Sequence, residues 1–566
     1  MTRHWLSQYP EGVAHDVSPD RYRSLSSLLE ESFKQHAKLP VSVCMERWMS
    51  YGELDTHSAA LGAWLQARGL PPGERVAIML PNVPQFLVAM AAVVRAGYTV
   101  VNINPLYTAR ELEHQLRDSG ARAIIILENF AHTLQEVIDQ TALEHVVVSS
   151  LGDMLGFWYG RWISFAVRHL ARMVPAYKLP LEGTQGKRTI VSLRHALAQG
   201  ASLHLRPSQD GPDSVAFLQY TGGTTGLSKG AVLTHRNIIA ATLQAEAWFS
   251  PALQRVGDLR KVNGIAALPL YHIFALTLSL LCIRWGAHMT LIPNPRDIPK
   301  FVETLKRRPF HLLPAVNTLF NALLQNPQFR QIDFSQLAMS QAGGMAASEG
   351  TARQWQAVTG CPMIEGWGMS ETCAIGTNNP VNATAFSGTI GLPLPGIDIA
   401  IKDDEGRSLA LGETGEICIK GPNVMRGYYN QPEETARAFT PDGFMRTGDL
   451  GIMDERGYTR IVDRKKDMIL VSGFNVFPSE LENVISLCPG VLECAAIGVA
   501  DDKQGEAVKV FVVRTDPSLR EEDVARFCQE NLTGYKRPRH IEFRDELPKT
   551  NVGKILRRAL RQPTAH

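Results

Sequence analysis

Between residues 75 and 128, short runs of β-branched residues alternate with amphipathic stretches. This pattern predicts strands at 75–82, 98–104 and 122–128, and helices at 84–97 and 108–120. A capping box formed by Thr108 and Glu111 marks the start of the second helix. The alternation of strands and helices predicts a largely parallel sheet with helices on both of its faces.

The pattern changes after about residue 385, where glycine, proline and short strand-like pieces such as 400–406 and 415–421 predict a β-rich subdomain. A charged run, DRKKD at 463–467, precedes a second compact α/β pattern, and such a run between folded regions is typical of a linker. We therefore expect an α/β protein with a large N-terminal domain (1–463) of parallel-rich sheets, flanking helices and the β-rich subdomain. A hinge (464–467) would join it to a small mobile α+β C-terminal domain (468–566).

Two apolar segments leave alternatives open. The segment 264–283 carries no formal charge and is long enough to span a bilayer, but Pro269 and His272 near its middle favour a buried strand and helix joined by a loop. The segment 157–180 interleaves aromatic and basic residues. We favour a surface helix whose apolar face packs on the domain, and keep peripheral contact with an anionic membrane as the alternative.

Composition excludes several classes of protein. The 566 residues carry a net charge of +2 and are 45% hydrophobic and 20% charged, which is ordinary for a globular protein and gives no support to a nucleic-acid binder. The eight cysteines never form C-x-x-C, so they indicate neither a zinc site nor a disulfide framework. The N-terminus has no apolar core of a signal peptide, and we expect a cytoplasmic protein.

The segment 220–235, YTGGTTGLSKGAVLTH, has the glycines, hydroxyls and single lysine that hold phosphate. It does not match the G-x-x-x-x-G-K-[ST] loop of nucleoside triphosphatases, because Ser228 replaces the second glycine and Gly230 replaces the magnesium-binding hydroxyl. The sequence therefore predicts a phosphate loop of another kind.

Four further segments accompany this loop in a fixed order: EGWGMSET at 365–372, RTGDL at 446–450, DRKKDMILVSGFNVFPSELE at 463–482, and LPKTNVGKILRR at 547–558. Together, from about residue 25 to 560, they resemble the acyl-adenylate-forming superfamily, and within it the bacterial long-chain fatty acid–CoA ligases. The run 102–116 is similar to this ligase branch as well.

The resemblance implies an ATP- and AMP-binding site formed by Thr221, Gly222, Gly223, Thr224, Thr225, Gly226, Lys229, Gly343, Gly344, Trp367, Gly368, Met369, Ser370, Asp449 and Arg464. Trp367 stands where the family usually has tyrosine and would stack on adenine. Ser370 replaces the usual threonine as a donor to the α-phosphate. Asp449 would accept both ribose hydroxyls, and Arg464 would contact ribose or phosphate.

The resemblance also implies the catalytic residues Lys554, Glu371 and His272. Lys554 would bridge the substrate carboxylate and the α-phosphate, and Glu371 would hold Mg²⁺, a cation suited to carboxylate and phosphate oxygens. Rotation of the small domain about Lys466 would then remove Lys554 and admit coenzyme A along a path past Gly473.

Amino-acid-activating relatives carry an aspartate in the region of His272 that pairs with the substrate ammonium, so His272 and the apolar residues after it disfavour an amino-acid substrate. The resemblance itself implies a fatty acid. The expected partners are fatty acid, ATP and coenzyme A, with Mg²⁺ and without nucleic acid. A medium-chain or aryl acid ligase, a non-catalytic binding protein of the same fold and a membrane-integrated transporter remain as alternatives. The chain length of the acid, contact with the inner face of the membrane and the formation of a homodimer stay open.

Overall fold

The computed structural model describes residues 3–181, 183–185, 188–221, 228–253, 256–472, 474–501, 504–550 and 554–561. The strands as far as residue 393 are β1 (Pro40–Cys44), β2 (Arg47–Ser50), β3 (Arg75–Met79), β4 (Thr99–Asn102), β5 (Ala123–Leu127), β6 (His145–Ser149), β7 (Gly183–Gln185), β8 (Arg188–Ser192), β9 (Val215–Tyr220), β10 (Gly230–Thr234), β11 (Asn263–Ala266), β12 (His288–Leu291), β13 (Leu312–Ala315), β14 (Met339–Ala342), β15 (Met363–Trp367), β16 (Thr377–Asn378) and β17 (Leu392–Pro393).

The α-helices of the same part are α1 (Leu25–His36), α2 (Tyr51–Gln66), α3 (Pro84–Arg95), α4 (Ala109–Ser119), α5 (Ala131–Val137), α6 (Phe157–Phe165), α7 (Leu193–Gly200), α8 (His235–Leu253), α9 (Ile273–Trp285), α10 (Ile298–Lys306), α11 (Asn317–Gln325) and α12 (Glu349–Thr359). The remaining strands are β18 (Asp398–Lys402), β19 (Gly415–Lys420), β20 (Gly427–Tyr428), β21 (Met445–Met453), β22 (Thr459–Arg464), β23 (Ile469–Val471), β24 (Phe474–Val476), β25 (Val491–Asp501), β26 (Gly505–Arg514) and β27 (His540–Arg544). The remaining helices are α13 (Pro432–Ala438), α14 (Pro478–Ile485), α15 (Glu521–Asn531) and α16 (Arg557–Arg561).

Two large, mostly parallel sheets form the N-terminal part. Among the described residues, the first sheet has the strand order β20-β10-β9-β4-β3-β5-β6-β8-β7, and the second has the order β17-β16-β15-β14-β13-β11-β12-β1-β2. Helix α3 contacts strands of both sheets, and all of its residues are buried, which explains why its sequence is apolar on every side. The strands and helices predicted between residues 75 and 128 are confirmed, including the Thr108–Glu111 capping box at the start of α4.

The predicted β-rich subdomain is the antiparallel third sheet, with strand order β18-β19-β21-β22. Strands β23 to β27 form a fourth sheet, on which α14, α15 and α16 pack. The strands on either side of the expected hinge thus belong to different sheets, while the domain boundaries themselves stay a prediction.

The segment 264–283 forms strand β11, a connection and helix α9, as favoured from its sequence. Eleven of the thirteen residues of α9 are buried within the protein. Within the described ranges, we find no helix of the length and apolar character needed to cross a bilayer.

The expectation for the segment 157–180 is wrong in part. Helix α6 is short, and of its residues only Gly160 is buried. Phe157, Trp158, Trp162 and Phe165 are exposed to between 50% and 81%, so the aromatic residues face outward instead of packing on the domain.

The side chain of Asn82 ties the two large sheets together where the site forms. Its Nδ2 donates hydrogen bonds of 2.9 Å to the carbonyl oxygens of Ala266 and Leu268, and its Oδ1 accepts one of 2.8 Å from the Leu270 N–H. These bonds join the loop after β3 to the loop after β11, which leads to His272.

We expect Asn82→Asp to destabilise the protein by about 2–4 kcal/mol, because the new carboxylate would face two carbonyl oxygens without a proton to donate. Thermal melting measures the effect. Asn294→Asp is the matched control, since the exposed Asn294 only accepts a bond, from the Arg296 N–H, which aspartate can also accept. Equal melting temperatures for Asn82→Asp and the control would contradict the prediction.

Candidate active site

The carboxyl ends of the parallel strands in the second sheet carry many of the predicted site residues. Gly343 and Gly344 follow β14, Trp367 ends β15, and His272 precedes α9 after the loop that leaves β11. Because parallel strands end at a common edge, these residues converge on one side of the sheet, where ligands of open α/β folds bind.

A tight turn after β15 presents Met369, Ser370 and Glu371. A Cβ added to Gly368 would lie 2.2 Å from the Ala374 carbonyl oxygen, so only glycine fits there. The Met369 N–H donates to Thr372 Oγ1 at 2.9 Å and closes the turn. The sequence EGWGMSET thus folds into a rigid support for Glu371.

The carboxylate of Glu371 is buried and is held by Tyr428 on β20, the edge strand of the first sheet, and by the segment that precedes β20. The Tyr428 hydroxyl donates to Glu371 Oε1 at 2.8 Å, and the Met425 N–H donates to the Glu371 carbonyl oxygen at 2.7 Å. Asn423 Nδ2 donates to the Thr372 and Ile375 carbonyl oxygens at 2.8 and 2.6 Å. Burial raises the pKa of Glu371, whereas the Tyr428 hydroxyl and the nearby Arg464 oppose this rise.

Asp449 lies at a junction of the second and third sheets. Asp449 on β21 pairs with Arg464 on β22 across the third sheet, and Arg464 Nε lies 3.1 Å from Asp449 Oδ1. The indole Nε1–H of Trp367, from the second sheet, donates to Asp449 Oδ2 at 2.8 Å. The carboxylate is therefore held from both sides.

Lys554, from the C-terminal part of the chain, reaches this same cluster. Burial and the nearby Arg464 lower the pKa of Lys554 to about 8, while Asp449 and Glu371 act in the opposite direction. Lys466, at the expected hinge, also affects Lys554, and burial with Arg464 nearby lowers the pKa of Lys466 as well. Residues almost two hundred positions apart thus form one group of interacting charges.

The phosphate loop connects two neighbouring antiparallel strands, β9 and β10, of the first sheet. The Thr221 N–H donates to the Lys229 carbonyl oxygen at 2.9 Å, which closes the base of the loop. The Lys229 ammonium pairs with Glu434 and lies 5.3 Å from the centre of the Tyr428 ring. The predicted residues Gly222, Gly223, Thr224, Thr225 and Gly226 lie outside the described residues, as does Gly473.

His272 faces Lys554 from the N-terminal end of α9. Its Nδ1 accepts a hydrogen bond of 3.3 Å from the Phe274 N–H, so a neutral ring carries its proton on Nε2. Burial and the neighbouring Lys554 lower the pKa of His272 to about 4. The imidazole is therefore neutral near pH 7 and does not provide positive charge to an anionic ligand.

A small apolar cavity of about 20 Å³, room for one water molecule, lies between α9 and the second sheet. Ala275, Ser279 and Cys282 line it from the helix, at the spacing of a single helical face, and Gly264 and Leu312 line it from the second sheet. The Phe274 ring lies beside Gly343, where an added Cβ would come within 2.9 Å of it. No acidic side chain lines this cavity.

The donor set suits magnesium bound together with a phosphate ligand. The described residues contain no group of three or more histidine, cysteine, aspartate or glutamate side chains that could hold a metal ion. Mg²⁺ commonly binds through one or two carboxylates plus phosphate oxygens and water, and the buried carboxylate of Glu371 could supply one of these ligands.

Sequence reasoning missed Tyr428, Glu434 and Asn423, which support Glu371 and Lys229. It also missed Glu365, whose burial raises its pKa to about 7 although it accepts a hydrogen bond of 3.0 Å from the Ala347 N–H. Glu365 stands inside the quoted segment EGWGMSET, which was the available signal; the other three stand in ordinary surroundings with no motif to mark them.

Comparison with known proteins gives consistent matches. The family described as AMP-binding enzyme matches residues 29–429, and the family described as AMP-binding enzyme C-terminal domain matches residues 480–554. The long-chain-fatty-acid–CoA ligase of Yersinia pestis is 48% identical over 564 residues, which are 99% of this chain and 98% of the relative. The ligase of the same name from Bacillus subtilis is 36% identical over 561 residues, or 98% and 97% of the two chains.

Solved structures agree with these matches. ATP-bound MatB from Rhodopseudomonas palustris has a TM-score of 0.79 at 29% identity, with 95% of this chain and 98% of that chain covered. The anthranilate CoA ligase AuaEII in complex with anthranoyl-AMP has a TM-score of 0.82 at 25% identity, with 96% and 98% covered.

We expect Lys554 to react with acetic anhydride with a pH midpoint of about 8, below the 10.5 of an ordinary lysine. Only the neutral amine is acylated, so labelling rises with pH. Asp449→Asn should lower the midpoint further, because it removes a negative charge that favours the ammonium. Mass spectrometry of the labelled peptide, normalised to exposed lysines in the same sample, measures both values. A midpoint near 10.5 would show that Lys554 is not buried in this cluster.

Proposed function

The chain belongs to the AMP-binding enzyme family, and we propose that it joins a long-chain fatty acid to coenzyme A through an acyl-AMP intermediate. The products are acyl-CoA, AMP and pyrophosphate. The matches to the two AMP-binding enzyme families confirm the family resemblance inferred from the motifs. The observation that carries the proposal is the convergence of two half-buried cations, Lys554 and Arg464, on the buried carboxylates of Asp449 and Glu371, with Arg464 Nε 3.1 Å from Asp449 Oδ1.

In the first step, a carboxylate oxygen of the acid attacks the α-phosphorus of ATP, and pyrophosphate leaves. An anion must approach a polyanion, so positive charge placed between them lowers the barrier. Lys554 would take this place, since its ammonium lies within the cluster that includes Asp449 and Arg464. A lysine with a lowered pKa becomes fully charged once phosphate oxygens surround it.

The remaining groups would bind the other parts of ATP. Asp449 would accept the ribose hydroxyls, Trp367 would offer a flat face to adenine, and Ser370 would donate to the α-phosphate. Lys229, with the glycine-rich segment beside it, would bind the outer phosphates after leaving Glu434. Glu371 would hold Mg²⁺, which supplies positive charge to the phosphate oxygens when bound.

Relatives named long-chain-fatty-acid–CoA ligases, which match this chain over nearly its whole length, support a fatty acid as the substrate. The apolar cavity beside α9 has room for about one water molecule, so its walls would have to shift to admit an acyl chain, each buried methylene of which contributes about 0.8 kcal/mol. His272, which neighbours Lys554, would act as a neutral donor through Nε2 near the carboxyl group that Lys554 binds. No acidic side chain in the lining would pair with the ammonium of an amino acid.

In the second step, the thiol of coenzyme A attacks the acyl carbonyl carbon and AMP leaves. Lys554 occupies the polar cluster, so the C-terminal part must move to admit the thiol. Rotation about Lys466, which lies between the third and fourth sheets, would withdraw Lys554. Gly473 would then line the path of the thiol, as expected from the sequence.

The exposed face of α6 supports peripheral contact with the cytoplasmic face of a membrane, where fatty acids partition. Its aromatic residues Phe157, Trp158 and Trp162 are joined by Arg161, and Arg172 and Lys178 follow in the chain. Exposed aromatics next to cations suit the interface of an anionic bilayer.

We expect Lys554→Ala to lower the rate of pyrophosphate release about a thousandfold in the presence of palmitate, ATP, Mg²⁺ and coenzyme A. The cation that bridges the two anions is lost in this variant. Conversion of supplied palmitoyl-AMP to palmitoyl-CoA should keep most of its rate. The wild-type protein should use palmitate faster than octanoate or 4-coumarate.

Lys549→Ala is the matched control, since Lys549 lies close in sequence but pairs with Glu493 on the surface. Equal losses in both half-reactions would show that the role of Lys554 is mis-assigned. Faster turnover of octanoate or 4-coumarate than of palmitate would favour the medium-chain or aryl acid alternative.

We expect Trp158→Ser combined with Trp162→Ser to reduce co-sedimentation with vesicles of anionic phospholipid several-fold, because two aromatic side chains no longer enter the interface. Trp48→Ser, which changes an exposed tryptophan on β2, should bind vesicles as the wild type does. If the double variant sediments as fully as the wild type, α6 is not the membrane contact.

A further inference from the structure

The indole of Trp367 makes a polar contact that stacking on adenine does not require. Its Nε1–H donates to Asp449 Oδ2 at 2.8 Å, and both side chains are buried, with 8% and 3% of their surfaces exposed. Tryptophan carries a single donor and no acceptor, so this bond has one direction only. No sequence pattern predicts this bond, because 82 positions separate the two residues.

We propose that Trp367 is a positioning residue for ribose: its N–H fixes the carboxylate of Asp449 so that adenine and ribose are recognised as one unit. This inference rests on the part of the proposed function that assigns the ribose hydroxyls to Asp449. It does not depend on which acid is activated.

The arrangement of donors around Asp449 supports this role. A carboxylate offers about four lone-pair positions, two on each oxygen. Trp367 takes one position on Oδ2, and Arg464 Nε lies 3.1 Å from Oδ1. One position on each oxygen therefore remains, which matches the two hydroxyls of a ribose.

The two donors come from different parts of the chain. Arg464 ends β22 and is the first residue of the expected hinge, whereas Trp367 ends β15 in the second sheet. A movement of the C-terminal part that disturbs Arg464 leaves the indole bond in place. Trp367 thus holds Asp449 in the orientation needed for ribose during both half-reactions.

A buried carboxylate that is already fixed does not have to be ordered when the nucleotide binds, which favours tighter binding. Loss of the indole N–H would free Asp449 to turn. The hydroxyls would then be recognised less well, and the preference for ribose over deoxyribose would fall.

Calorimetry, in the absence of fatty acid and coenzyme A, measures the dissociation constants of ATP, 2′-deoxy-ATP and 3′-deoxy-ATP. The wild type should bind ATP more tightly than either deoxy form. Trp367→Phe keeps an aromatic face for adenine but has no donor. We expect it to weaken ATP binding by about tenfold and to bring the ratio of deoxy-ATP to ATP dissociation constants close to one.

Trp248→Phe is the matched control, because Trp248 is also buried and its Nε1–H donates to the Asn379 carbonyl oxygen at 3.1 Å, away from Asp449. It should leave the ratio unchanged. Trp367→Tyr, which also lacks the indole N–H, gives a second measurement should the phenylalanine variant fold poorly by thermal melting.

Three results would overturn the inference. Unchanged ATP affinity in the Trp367 variants would show that the bond is dispensable. An equal loss for all three nucleotides, with the ratio preserved, would mean that Trp367 only stacks or supports the fold. If the wild type binds ATP and the deoxy forms equally well, Asp449 does not recognise the ribose hydroxyls. Failure of the fatty-acid assignment alone would leave the binding ratios as expected, so the two proposals are tested separately.

Discussion

The burial of opposite charges around Lys554 is the constraint on which the rest of the site depends. An ammonium removed from water is costly, and here it is offset by the carboxylates of Asp449 and Glu371, while Arg464 opposes it. The lowered pKa of Lys554 shows that the offset is incomplete in the free protein. A bound polyanion would complete the offset, as expected if the ligand of this site carries negative charge.

The charged residues of the site come from different sheets, and each lies where its strand or loop reaches the same region. The second sheet supplies Trp367 and Glu371 at its carboxyl edge, the third supplies Asp449 and Arg464 as cross-strand neighbours, and Lys554 arrives from the chain beyond the fourth. The side-chain amides of Asn82 and Asn423 connect these units, because each donates to backbone carbonyl oxygens of another part of the chain. Rigid loops at the sheet edges follow from these bonds.

Sequence patterns were sufficient where the physics is local. The strands and helices between residues 75 and 128 follow from periodicity and a capping box, and the motif residues could be placed because each carries its chemistry in a short segment. The indole bond from Trp367 to Asp449 and the hydroxyl bond from Tyr428 to Glu371 could not be predicted, because they join residues 82 and 57 positions apart. The sequence left the outward face of α6 as the less favoured of two alternatives for a related reason: helical spacing identifies an apolar face but not whether anything covers it.

The ion pair between Lys229 and Glu434 has a consequence for which anions this loop admits. In the free protein, Glu434 acts as an internal competitor that already neutralises the lysine. A singly charged anion such as chloride gains little by displacing a tethered carboxylate, whereas a polyphosphate brings several charges and additional donors with it. Both side chains are about one third exposed, so the pair is weak, and a ligand that carries several negative charges would displace Glu434 more readily than a singly charged anion.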